Sequence, residues 1–235
     1  MGPRVALALS LLLWPGAADA LTCARPPAGP RVLYPRSGDA VPRDVTIYIR
    51  PGGATTRRLA LVQRKSGRET WLRVERQPGL WRLAPTRLLE PGQTYELRQL
   101  GELRRKPPTL LVAFRAAATV HRGGKPSFSK ASLTFSPAGR RTMTRRAGRS
   151  ATLELEADPA PVVVEVQLAF RSKGKWSATW RSAHGLAPRL ELAGTHACDH
   201  ERPVAPARGR YRAELIPWGP SGEKGQALTL KGVIR

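Results

Sequence analysis

Cysteine is nearly absent from this chain: Cys23 and Cys198 are the only 2, so a single intramolecular disulfide is the most the sequence can form. Histidine is scarce as well, with 4 in 235 residues. No run of eighteen consecutive apolar residues occurs, which excludes a membrane-spanning helix of ordinary length. The chain also lacks a GxSxG elbow, an HExxH pair, a phosphate-cradling GxxxxGK[ST] loop and any local Ser, His and Asp set. These absences point to a non-enzymatic protein with no cofactor. A long amphipathic helix is missing too, which leaves the apolar residues to be placed on strands.

Acid is scarce relative to base. There are 17 Asp and Glu against 40 Lys and Arg, a formal net charge of +23. Such an imbalance attracts polyanions and says nothing about fold. The charge is spread over both halves, arginine dominates over lysine, and with 22 Gly and 22 Pro this composition also fits GC-rich codon usage.

At the N-terminus, Arg4, the apolar stretch "VALALSLLLW" and the break "PGAADA" have the form of a signal peptide spanning 1–20, cut after Ala20. An exported protein, periplasmic or extracellular, is expected. Cys23 lies near the cut, but "ALT" before it departs from the Leu-then-small pattern of a lipobox.

Punctuation at "HRGGKPSFS" divides the remainder into expected domains at 21–120 and 129–235, joined by a linker at 121–128. The segments on either side read as short strands. "VTIYIR" places Val45, Ile47 and Ile49 on one face and Thr46, Tyr48 and Arg50 on the other, which predicts a sheet with one wet side. Further strands are expected at 58–64, 70–76, 80–84, 94–100 and 109–115, separated by "KSG", "QPG" and "EPG" turns, and in the second half at 131–136, 151–157, 162–170, 175–181, 189–193, 210–218 and 226–234. The predicted fold class is all-β: two tandem Ig-like or fibronectin type III-like β-sandwiches after a cleaved signal peptide.

The first half resembles the bacterial Ig-like domain of surface-layer and other exported proteins. The resemblance rests on "YPRSGDAVPRDVTIYI" (Tyr34 to Ile49) and "LLEPGQTYELR" (Leu88 to Arg98), and covers roughly residues 30–118. "AFRAA" keeps Phe114 of the family's closing pattern but puts Ala116 where Thr is usual. The resemblance implies a structural role for Tyr95, whose hydroxyl would reach back to upstream backbone at a corner. The second half is similar to Ig or fibronectin type III-like domains only in general form, and "GRYRAELIPWGPSGEKG" lacks the Asp of their usual turn. Both resemblances imply an adhesion or interaction module of the bacterial envelope or exterior, with an envelope protein as one class of partner.

Four sets of residues carry chemistry. "RRTMTRRAGRS" supplies Arg140, Arg141, Arg145, Arg146 and Arg149 on an expected connection between strands. Guanidinium forks pair bidentately with carboxylate, sulfate or phosphate, so acidic polysaccharide, lipopolysaccharide or extracellular DNA are candidate partners, and a solvated loop in an arginine-rich chain is the plainer reading. "HACDH" alternates His196, Cys198 and His200, which on a strand would share a face and suit copper or zinc. A family of copper-resistance sandwiches has a similar shape, but its N-terminal His ligand is missing from "LTCARPP". The same segment equally fits a loop holding a disulfide-bonded cysteine and two solvated histidines. A Cys23–Cys198 disulfide is expected for an exported chain, and closing a loop of about 175 residues would constrain the unfolded chain by roughly 5 kcal/mol. Lastly, Trp176 and Trp180 would share a face of one strand, either stacking on sugar rings as in a carbohydrate-binding module or filling the core; Trp71 would likewise share a face with Arg73.

Overall fold

The computed structural model describes residues 29–52, 58–100, 107–142, 145–159, 161–194 and 202–235. Among them are seventeen strands and no helix. Nine belong to the first half: β1 (Arg31–Tyr34), β2 (Ala40–Val41), β3 (Ile47–Arg50), β4 (Leu59–Gln63), β5 (Glu69–Thr70), β6 (Leu72–Gln77), β7 (Leu80–Pro85), β8 (Thr94–Gln99) and β9 (Thr109–Ala116). They form two sheets, in the orders β1-β3-β7-β6 and β2-β9-β8-β4-β5. The first order is the A-B-E-D sheet of an immunoglobulin sandwich, and β2 joins the second by pairing parallel to β9. Between the sheets lie Val41, Val45, Ile47, Ile49, Leu61, Leu83, Leu97 and Phe114, all buried.

The second half adds β10 (Phe128–Phe135), β11 (Ala151–Ala157), β12 (Val163–Ser172), β13 (Lys175–Trp176), β14 (Trp180–Gly185), β15 (Arg189–Ala193), β16 (Gly209–Trp218) and β17 (Leu228–Ile234). A three-stranded sheet β10-β11-β15 packs on a sheet in which β12 pairs with β16 on one side and with β13 and β14 on the other, while β17 flanks β16. Alternation along the strands sets the core: Leu153 and Leu155 from β11, Val164, Val166, Leu168 and Phe170 from β12, and Ala213 and Leu215 from β16.

Two strand expectations are corrected. Residues 70–76 are not one strand: the chain breaks at Trp71 and passes from β5 in one sheet to β6 in the other. The segment 175–181 is split as well, into β13 and β14. Trp180 lies opposite Leu168 and Trp176 opposite Arg171, so between these pairs two residues of β12 face three of the partner segment. That extra residue reverses the alternation. Trp180 turns inward against the core, whereas Trp176 points outward, so the two do not share a face.

The expected wet side of "VTIYIR" is dry. Tyr48 is fully buried and Thr46 nearly so, because this face of the first sandwich packs on the second. Leu33, Tyr48 and Leu80 meet Val163, Ala183, Ile216 and Trp218 in an apolar cluster, in which each large side chain contributes on the order of 1.5–3 kcal/mol by leaving water. The Arg82 guanidinium stacks on the Trp218 ring at 4.1 Å while its Nη2 pairs with Glu75. Polar ties surround the cluster. Thr46 N–H donates to Pro220 O at 2.8 Å, and Arg36 Nη2 to Leu186 O at 3.2 Å. Gly222, at φ +96°, lets its turn close on Thr46, since a Cβ there would stand 2.8 Å from Thr46 Oγ1. The segment between the sandwiches is pinned from both sides: His121 N–H donates to Asp44 Oδ1 at 2.9 Å, and its ring lies 3.6 Å from Glu223.

Candidate functional site

The arginine-rich stretch connects β10 to β11. A pair of backbone bonds between Gly139 and Gly148 closes its base, and Thr142 N–H donates to Arg145 O at 2.9 Å. Gly148 has φ +129°, and a Cβ there would lie 2.5 Å from Ala205 O and 2.4 Å from Val204 Cγ1, so the close approach requires glycine.

The five arginines fall into two groups. Arg149 is spent on structure: Nε donates to Ala207 O at 2.9 Å, Nη1 to Ser136 O at 2.7 Å and Nη2 to Arg235 O at 2.5 Å. Arg146 is half-buried and donates through Nη2 to Gly194 O at 2.8 Å and Arg202 O at 3.1 Å. Carbonyl groups at strand ends need donors, and the guanidinium forks supply them. Arg140, Arg141 and Arg145 are exposed, and their side chains make no hydrogen bond or ion pair among the described residues. Arg145 borders an open concavity of about 550 Å³ shared with Arg146, Arg202 and Glu191.

A second basic concavity, which the sequence reading missed, opens where the sandwiches meet. It has a volume of about 590 Å³ and is lined by Arg31 and Arg50 from the first sandwich and by Arg181, His184 and Arg202 from the second, with Glu191 as its acid. Arg202 pairs with Glu191 at 2.5 Å. Arg50 donates through Nε to Ala183 O at 3.1 Å, and its Nη2 stands 3.3 Å from His184 Nδ1. Burial, then the positive charges of Arg50, Arg202 and Arg31, push His184 down to about 4, so its ring is neutral at neutral pH. The arrangement can hold an anion. It joins residues more than a hundred positions apart, and no local pattern in the sequence announces it.

The remaining sequence candidates are placed as follows. Tyr95 is buried, stacks on Phe114 with centroids 6.3 Å apart, and accepts the Glu90 N–H at 2.9 Å through its hydroxyl. Trp71 is 79% exposed at the crossing between sheets. Cys23, His196, Cys198 and His200 lie outside the described residues. Among the described residues, no three His, Cys, Asp or Glu side chains gather as a metal-binding group, and no helix is long and apolar enough to cross a membrane.

No protein-family model matches the sequence, and no curated protein matches it. Solved structures similar in fold include the N-terminal Ig1-2 module of the Drosophila receptor protein tyrosine phosphatase DLAR, 15% identical, covering 86% of this chain and 97% of that one at a TM-score of 0.29. The fibronectin(III)-like modules of Clostridium thermocellum CbhA are 10% identical and cover 86% and 92% at a TM-score of 0.26. The strand orders of the two sandwiches, rather than these distant likenesses, identify the architecture as Ig-like and fibronectin type III-like.

Proposed function

We propose that this chain is an exported, non-enzymatic interaction protein, with a leader at 1–20 and two sandwich domains at 21–120 and 129–235, that binds acidic polymers at the envelope or outside the cell. The observation that carries this reading is the loop between β10 and β11, where Arg140, Arg141 and Arg145 are exposed and unengaged on a chain of net charge +23. Arg146 and Arg149 hold that loop in place. Three guanidiniums with no partner among the described residues, on a braced support, meet carboxylate, sulfate or phosphate without first leaving an internal partner.

Retention on heparin tests this. Changing Arg140, Arg141 and Arg145 to Gln lowers the salt needed for elution more than changing Lys65, Arg68 and Arg87, three exposed cations of the first sandwich. Equal shifts in the two variants would mean that net charge alone is being read.

A further inference from the structure

One face of the β12-β16-β17 sheet is only half covered. Residues whose side chains point away from the core lie in rows across the strands, and the register identifies each row. Glu165 lies level with Ala183 and Ile216, and Val163 with Gly185 and Trp218; these two rows are buried under the first sandwich. Three rows beyond them are open. Strand spacing and rise make this open area about 14 Å in each direction.

The outermost row runs Trp176, Arg171, Arg210, Val233, and the next Ala169, Arg212, Lys231. Each row therefore sets two cations directly opposite each other, Arg171 against Arg210 and Arg212 against Lys231. Like charges in opposed positions destabilise a sheet. Arg171 Nε donates to Gly174 O at 3.2 Å in the turn before β13; no such bond accounts for Arg210, Arg212 and Lys231 among the described residues, and a bound anion does. Trp176 is 50% exposed and Val233 61% exposed at the ends of the outer row. The Trp176 ring lines a shallow concavity of about 370 Å³ with Gln167, Ala169, Arg212 and Glu214. The third open row, Arg181, Gln167, Glu214 and Thr229, presents acceptors and donors of hydroxyl size.

We propose that this face binds a linear acidic polysaccharide, with Trp176 stacked on a sugar ring, Arg210, Arg212 and Lys231 on its carboxylates, and Gln167 and Glu214 on its hydroxyls. Glu214 and Gln167, level with each other in the third row, are placed to accept from and donate to sugar hydroxyls. A single aromatic platform also fits one pyranose better than the successive stacked bases of a nucleic acid strand. The proposal shares with the reading above only its class of ligand, because its surface is distinct from the loop between β10 and β11.

Binding of alginate oligomers, neutral dextran oligomers and oligodeoxythymidine to the full chain is measured by calorimetry across a salt series. Four proteins are compared: the unaltered chain, Trp176→Ala, an Arg210→Gln/Arg212→Gln/Lys231→Gln variant, and an Arg140→Gln/Arg141→Gln/Arg145→Gln variant. Trp176→Ala weakens alginate binding at least fivefold with an unchanged melting temperature. The sheet-face triple variant flattens the slope of log affinity against log salt by about 2, and melts at the same or a higher temperature because opposed charges are relieved. Dextran does not bind. Absence of alginate binding to the unaltered chain, or alginate affinity indifferent to both face variants, overturns the proposal. If only the loop variant loses alginate, the loop reading stands and the face falls. Tighter binding of oligodeoxythymidine, lost in the same face variants, makes nucleic acid the occupant and overturns it as well.

Discussion

The hydroxyl of Tyr48, on β3 of the first sandwich, donates to the carbonyl oxygen of Gly219, in a turn of the second, at 2.6 Å. Burial raises Tyr48 above the ordinary phenol range, so it stays a neutral donor. Tyr48→Phe keeps the ring and orphans the Gly219 carbonyl in a site closed to water. The expected loss is about 1–3 kcal/mol, read as a lower urea midpoint with an unchanged slope.

Trp218 sits at the centre of the same interface, between Tyr48 at 6.4 Å and the Arg82 guanidinium at 4.1 Å. Trp218→Ala leaves a void and removes the ring on which the Arg82 guanidinium stacks, and is expected to cost about 3–5 kcal/mol. Because the lost contacts join the two sandwiches, calorimetry is expected to show one transition for the unaltered chain and to resolve two for the variant. A single transition of lower midpoint would place the coupling elsewhere.

His184 gives stability a pH dependence of defined sign. Its folded value of about 4 lies below the ordinary 6.5, so between these two the unfolded chain takes up the proton and the folded chain does not. Above pH 6.5 both states are neutral and the residue contributes nothing to the dependence. As pH falls from 6.5 to 4, stability declines by about 3 kcal/mol from this group. Denaturation of the unaltered chain and of His184→Gln at pH 7 and pH 4.5 measures it, and the variant should lose the smaller amount between the two.

Gly148→Ala is expected to destabilise the chain by at least about 1 kcal/mol, since both the positive φ and the approach to Ala205 O exclude a side chain. The same change at Gly67, where a Cβ would meet nothing within 4 Å, removes the steric part and keeps only the strain of its φ of +69°. Comparing the two melting temperatures separates the terms.

Most of the sandwich architecture is legible from alternation and turns, because a strand with one buried face writes its period into the sequence. "ATLELEA" does so, with Leu153 and Leu155 inward and Glu154 and Glu156 outward. Thr46, Tyr48 and Arg50 read as a solvated face for the same reason, and the reading failed because a second domain covers them. Nothing local distinguishes Tyr48 beneath Trp218 from a tyrosine in water. The bulge before Trp180 was hidden too, since one extra residue exchanges inward for outward without altering composition. Spacing likewise could not separate Arg149, held by three carbonyls, from Arg141, held by none among the described residues.

Two domains joined only by a linker swing as beads on a string, and the distance between sites on them averages over the swing. Here Tyr48, Arg50 and Thr46 each grip the backbone of the second sandwich, and His121 is clamped at the joint. The two sandwiches are therefore bonded face to face, through contacts from residues 46–50 to residues 183 and 219–220, and not tethered by the linker alone. A turn of the first sandwich about that contact would have to break the Tyr48 and Arg50 bonds and expose Trp218, so the orientation of β12 and β16 relative to β3 is set by buried surface.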